Sequence, residues 1–154
     1  MYVFKLDDKD LSILRLLQQD AKITVREIAA RLHLTTTPVH ERIRRMEEQG
    51  VIKQYVALVD HTKVNKGLIV FCHVSLKEHT KQAGGLFLDT INGFAQITEC
   101  YNISGSFDFM LKIVVADMEE YHQFYVDQLG ETPGISHMQS SFVMGIMKYT
   151  MQLV

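Results

Sequence analysis

The chain has 154 residues, 47% of them hydrophobic and 22% charged, and a formal net charge of −2. Those proportions belong to a soluble globular protein of one or two small domains; they exclude a disordered chain and a uniformly basic nucleic-acid binder. No apolar run reaches bilayer-spanning length and MYVFKLDDKD carries no signal-peptide core, so a cytoplasmic protein is expected.

The first predicted helix opens at Leu6-Asp7. Asp7 is its cap, Leu6 and Leu11 fit a hydrophobic staple, and Leu11, Leu14 and Leu17 form the inward stripe with Ile13 beside it. Asp20 to Lys22 connect it to a second helix. That helix opens on Thr24 with Glu27 three residues on, a capping-box spacing, and turns Ile28, Ala29 and Leu32 inward. His33-Leu34 is a tight turn. Thr35 is the expected N-cap of the third helix, and Pro38 sits in its first turn, where a missing N–H costs nothing. Val39, Ile43 and Met46 make its buried stripe, and Gly50 stops it. Its remaining face carries Thr36, Thr37, His40 and Arg44, with Arg42 and Arg45 flanking. Three helices in 50 residues suit a helix-turn-helix domain, and short polar groups followed by arginines suit a reader of the major groove. The same face could be a solvated surface, with Glu41, Glu47 and Glu48 offsetting its charge locally.

Charge distribution sharpens this choice. Residues 1–60 hold 10 Lys and Arg against 9 Asp and Glu, whereas residues 61–154 hold 6 against 9. Every arginine lies in the first part, so if DNA is bound, that part binds it.

Residues 51–66 read as a strand-like linker, from β-branched and aromatic residues between Val51 and Val59. The remainder, 67–154, repeats a simple theme. Residues 68–77 and 107–115 are apolar nearly throughout, as in strands buried on both faces. Residues 96–104 alternate as a strand, and 135–147 follow Pro133-Gly134 as the last strand. Helices are predicted over 79–93, with Leu86, Phe87 and Ile91 inward, and over 117–130, capped by Asp117 with Glu120 three on. The order β-α-β-β-α-β, folded at a Gly105-Ser106 turn, predicts an antiparallel four-stranded sheet with both helices on one face. The fold class is therefore α+β, with the helix-turn-helix domain over 1–50 and a ferredoxin-like domain over 67–154. An apolar second sheet face points to self-association.

Other chemistries find little support. Cys72 and Cys100 lack pairing or ligand spacing and read as buried thiols. The seven histidines are scattered, so no metal site is expected, and His73 reads as a satisfied core or interface histidine. Cys100 has no evident activating partner, and neither a phosphate loop nor a nucleophile elbow is present; no catalytic residue is assigned. On spacing alone, Gly105-Ser106-Phe107-Asp108 is turn chemistry.

Three stretches resemble the leucine-responsive and asparagine regulators, the Lrp/AsnC (feast/famine) family of prokaryotic transcription factors: TTTPVHERIRRMEEQGVIKQYVALVD (35–60), CYNISGSFDFMLKIVVADMEEY (100–121) and PGISHMQSSFVM (133–144). The resemblance covers almost the whole chain in order. It implies a winged or three-helix DNA-binding domain followed by a RAM-type ferredoxin-like domain that binds an amino acid and assembles the protein. It implies recognition of double-stranded DNA through Thr35, Thr36, Thr37, His40, Arg42, Arg44 and Arg45. It also implies a homodimer, a ring of dimers forming an octamer, and a small amino-acid effector gripped between dimers at Gly105, Ser106, Phe107 and Asp108, with Tyr101, Asn102, Gln139 and Ser141 as further contacts. No cofactor beyond such an effector is expected. One departure stands out: the family's usual Ser-Pro opening of the third helix is Thr35-Thr36 here.

Two functions remain in play. One is a ligand-responsive DNA-binding regulator. The other is an amino-acid-binding regulatory subunit or metabolic enzyme module, because ferredoxin-like domains serve metabolic enzymes too. The arginine-bearing helix and the lack of catalytic residues favour the first.

Overall fold

The computed structural model describes residues 5–154 and divides them into two compact units, 5–58 with Lys148–Val154 and Val59–Met147. Residues 1–4, part of the expected first domain, lie outside the described residues.

The first unit contains three helices, α1 (Asp8–Gln19), α2 (Val25–Arg31) and α3 (Thr36–Glu48), and no strand among its described residues. Local capping explains where two of them start. Asp7 accepts from the Asp10 N–H at 2.9 Å, and the Asp10 carboxylate accepts from the Asp7 N–H at 3.1 Å. Thr24 and Glu27 form the expected reciprocal box. The turn between α2 and α3 places His33 at a φ of 53°. Ile13, Leu14, Ile28, Ala29, Val39 and Met46 form the core, with Leu17, Leu32 and Ile43 partly buried against it. The stripe on α1 is offset from the expected one. It runs through Asp10, Ile13, Leu14 and Leu17, and Leu11 is only half-buried. A fully buried aspartate occupies the position that an apolar pattern assigns to leucine.

The C-terminal tail, Lys148–Val154, clusters with this unit. The Gln18 amide holds it by backbone: Nε2 donates to the Met151 carbonyl at 2.8 Å, and Oε1 accepts from the N–H groups of Leu153 and Val154.

Residues 51–60 form no strand, contrary to the strand-like expectation, and His61–Val64 is a single 3-10 turn. Val56, Leu58 and Val59 are exposed, and no neighbouring strand among the described residues pairs with them; a β-rich composition alone does not make a strand.

The second unit follows the expected order: β1 (Leu68–Leu76), α4 (Lys81–Ile91), β2 (Ile97–Asn102), β3 (Phe109–Val115), α5 (Met118–Phe124) and β4 (Ile135–Phe142). The sheet is antiparallel in the order β2-β3-β1-β4. Both helices pack on one face, where Phe87, Ile91, Tyr121, Phe124 and Leu129 meet Val70, Cys72, Val74, Leu111 and Ile113. On the strands expected to be buried on both faces, burial instead alternates from Val70 onward: the helix-facing side chains are buried, while Phe71, His73, Met110, Lys112 and Val114 on the open face are intermediate; Ile69, also on the open face, is buried at the start of β1. On α4, Leu86 is 62% exposed rather than inward, because the stripe through Ala83, Phe87 and Ile91 turns it to solvent. α5 ends in one π turn, Tyr125–Leu129. There the Gly130 N–H donates to the Tyr125 carbonyl, and a Cβ at Gly130 would lie 2.8 Å from that same oxygen.

Candidate functional site

Two regions gather the predicted site residues. The first is α3. Thr35 holds the N-cap position in extended geometry, but its side chain makes no capping bond. Thr36, Thr37, His40 and Arg44 are exposed together. Arg44 bonds Glu48 one turn on, at 2.8 Å, with its side chain 71% exposed. This face can offer hydroxyls, an imidazole and a guanidinium to base edges, and helix N–H groups to a phosphate.

Arg42 does not flank that face. At about 100° per residue it lies roughly opposite His40, on the side of Val39 and Met46. Its Nη1 donates to Asp7 Oδ2 and Asp10 Oδ1, both at 2.7 Å. Arg45 Nη2 donates to the same Asp10 carboxylate at 2.9 and 3.2 Å. The Asp10 side chain is fully buried, while those of Arg42 and Arg45 keep 24% and 48% of their exposure. The bond from the Asp10 N–H, then that from Arg42, pulls the Asp7 carboxyl down to about 2. The carboxylates in turn raise the Arg42 guanidinium above its ordinary value.

The second region is the hairpin between β2 and β3. Gly105 sits at a φ of 119°, a backbone state that favours glycine. Asp108 fastens the hairpin to the end of β1. Its Oδ2 accepts from the Leu76 N–H at 2.8 Å, its N–H donates to the Val74 carbonyl, and Oδ1 lies 3.0 Å from His79 Nδ1. The Asn102 amide donates to the Asp108 carbonyl, and the Ser75 hydroxyl donates to the Ser106 carbonyl. Asn102, Asp108, His79, Lys81 and Phe109 line a cavity of about 260 Å³ beside this hairpin. Phe107 turns onto the open sheet face and packs against His73 at 5.2 Å and His137 at 5.9 Å between ring centroids. Among the described residues, His73 Nδ1 is buried without a hydrogen-bond partner, so within one protomer it is not a satisfied core histidine.

The other predicted contacts are not brought together within one protomer. Tyr101, Met110, His73 and Gln139 form one row across all four strands. Tyr101 and Gln139 are thus at opposite sheet edges, about 14 Å apart by strand spacing. Ser141 is on the same open face, paired with Phe71. Tyr101 donates to Glu99, whose carboxylate also takes Lys112 Nζ at 2.7 Å and is held below its usual range chiefly by that lysine.

Sequence reasoning missed Asp10 and His79. Asp10 had a signal, its place three and four residues before Ile13 and Leu14 opposite an arginine-rich helix. His79 had none, since only the chain reversal after β1 brings it to Asp108. The described residues show no group of three or more potential metal ligands and no helix long and apolar enough to cross a membrane. Both cysteines are free, and burial pushes the Cys72 thiol up to about 11, which suits a buried thiol rather than a nucleophile.

Comparison with known proteins bears on both regions. Residues 6–53 match the winged helix-turn-helix DNA-binding family model, and residues 69–153 match that of the Lrp/AsnC ligand binding domain. The chain is 33% identical over 148 residues to the DNA-binding transcriptional activator DecR of Escherichia coli, covering 96% of this chain and 97% of that one. It is 36% identical to the transcriptional regulator AzlB of Bacillus subtilis, covering 96% and 94%. Its structure is similar to that of the transcriptional regulator NMB0573 of Neisseria meningitidis in complex with L-Met, with a TM-score of 0.92, 31% identity and 97% of each chain covered.

Proposed function

The chain belongs to the Lrp/AsnC family of DNA-binding transcriptional regulators, and from that premise we propose that it reads its operator with α3 and responds to a small amino acid bound between dimers. The exposed Thr36, Thr37, His40 and Arg44 face, set opposite the buried Val39 and Met46, carries the DNA reading. The uncapped N-terminus of α3, at Thr35, supplies N–H groups for a backbone phosphate that fixes register. Replacing Arg44 or His40 by Ala is expected to weaken operator binding by about 1–3 kcal/mol wherever a base contact is lost. Fluorescence anisotropy that shows unchanged operator affinity in both variants overturns the assignment.

Assembly and effector reading share the second unit. The half-buried Phe71, Met110 and Val114, with His73 Nδ1 unpartnered among the described residues, support the reading that a second copy covers the open sheet face. Dimers built on this face would join into the octameric ring. The effector would sit at Gly105, Ser106 and Phe107, whose hairpin Asp108 holds in place. The relative crystallised with L-Met supports an amino acid of this class. Since Tyr101 and Gln139 occupy opposite edges, both can meet one small ligand only if two protomers supply them. A ligand shifts assembly only through its differential affinity for joined and separated dimers, and a shared site provides that difference. Light scattering at micromolar concentration, with and without each of the twenty amino acids, tests this reading. A monomer throughout would overturn it.

A further inference from the structure

We propose that Asp10 and Arg42 are a positioning pair for DNA recognition: together they set the rotation of α3 about its own axis, so that Thr36, Thr37, His40 and Arg44 face the groove. The inference rests on α3 being the reading helix. It starts from the burial of Asp10, a charged side chain with no exposure in the first turn of α1, at the N-terminal end of its buried stripe. Two cations reach that carboxylate, and both come from α3: Arg42 at 2.7 Å and Arg45 at 2.9 Å. Arg42 also spans to Asp7 at 2.7 Å, so one guanidinium joins the first turn of α1 to the middle of α3. The capping box ties Asp7 and Asp10 to each other, which makes the acceptor pair rigid.

Apolar packing alone would leave the helix rotation soft. Burial of Val39 and Met46 is favourable in proportion to the apolar area removed from water and has no preferred direction of its own. A charge-assisted bond of fixed direction removes that freedom, and the guanidinium fork suits it better than a lysine ammonium. Arg42 lies on the core side of α3, away from the Thr36, Thr37, His40 and Arg44 face, so its charge serves the α1–α3 contact and not a phosphate.

The test is DNA binding by the full-length protein, on operator and on unrelated duplex, across a salt series. Arg42→Met and Asp10→Asn are each expected to lower the operator-to-unrelated affinity ratio by about tenfold or more, on the scale of one lost base contact. Arg42→Met should leave the slope of log affinity against log salt unchanged, and Arg42→Lys should recover part of the ratio. The double variant should lose no more than the worse single, because both act through one contact. A general loss of stability would instead weaken both duplexes alike. The proposal is overturned if the Arg42→Met slope becomes shallower by about 0.9, the mark of a lost phosphate contact. It is equally overturned if the ratio stays unchanged in the folded variants, or if the two single losses add. Should Asp10→Asn fail to fold, the slope and ratio of the two Arg42 variants decide. If Arg44→Ala leaves operator binding intact, the reading helix itself is misassigned, a result separate from any of these.

Discussion

The first unit closes its core over an ion pair, whereas the second closes its core over neutral groups. In the first, the buried Asp10 carboxylate is met by Arg42 and Arg45. In the second, Thr132 is buried, and the buried Cys72 and Tyr121 lie with the half-buried Ser140, which shares a hydroxyl–hydroxyl bond with Tyr121. Burial pushes Tyr121 up to about 12 and Cys72 up to about 11, so that cluster stays uncharged near neutral pH. Around it stand Phe87, Phe124, Ile113 and Leu111, all essentially inaccessible. The contrast teaches that the two cores serve different ends. Large apolar side chains hold the sheet and its helices together through area removed from water. A buried ion pair adds little net stability, because desolvation offsets its attraction, but it is directional. That is what a helix needs when one of its faces must meet a groove.

The largest effect should come from the apolar core. Phe124→Ala removes a ring that packs edge-on against Phe94 at 5.5 Å, and a loss of about 3–5 kcal/mol is expected in urea denaturation followed on the second unit. A loss below about 1 kcal/mol would break the comparison, since it would put that unit's stability elsewhere. Replacing the ion pair by apolar groups, Asp10→Leu with Arg42→Met, should then hold the melting temperature or raise it, by up to about 1–4 kcal/mol of stability, while operator selectivity falls. A marked fall in melting temperature would show instead that the clamp is a net stabiliser.

The smallest effect is a pH dependence in the first unit. Asp7 is held at about 2, down from 3.8, by the Asp10 N–H and then by Arg42. A carboxylate with a depressed folded value contributes stability above its unfolded value, and loses it as pH falls through the folded one. Wild type should therefore lose its advantage over Asp7→Asn as pH falls from 3.8 toward 2. Thermal melts of both proteins at a few acidic pH values check this. A difference between them that stays constant over that range counts against the Asp7 contacts.

Much of this molecule is settled over a few residues of chain. The Thr24–Glu27 box, the Asp7 and Asp117 caps and the Gly50 stop are short-range chemistry, and each is where sequence reasoning puts it. So is the order of strands and helices, because a two-residue and a 3.6-residue period differ plainly in a sequence. Patterning also isolates the Thr36, Thr37, His40 and Arg44 face. It fails wherever a side chain's role depends on what another element brings to it. Leu86 looks like core, but α4 is rotated to bury Ala83 and Phe87 instead. Val56 and Leu58 look like strand, but nothing among the described residues lies alongside to pair with them. Arg42 looks like a partner for DNA until α1 places two carboxylates against it, 32 and 35 residues away in sequence. Tyr101 and Gln139 read as contacts of a ligand held between dimers, but only the β2-β3-β1-β4 order places them at opposite sheet edges. Periodicity reports which face a residue is on. Only packing reports what that face meets, because burial and charge pairing are properties of two elements at once.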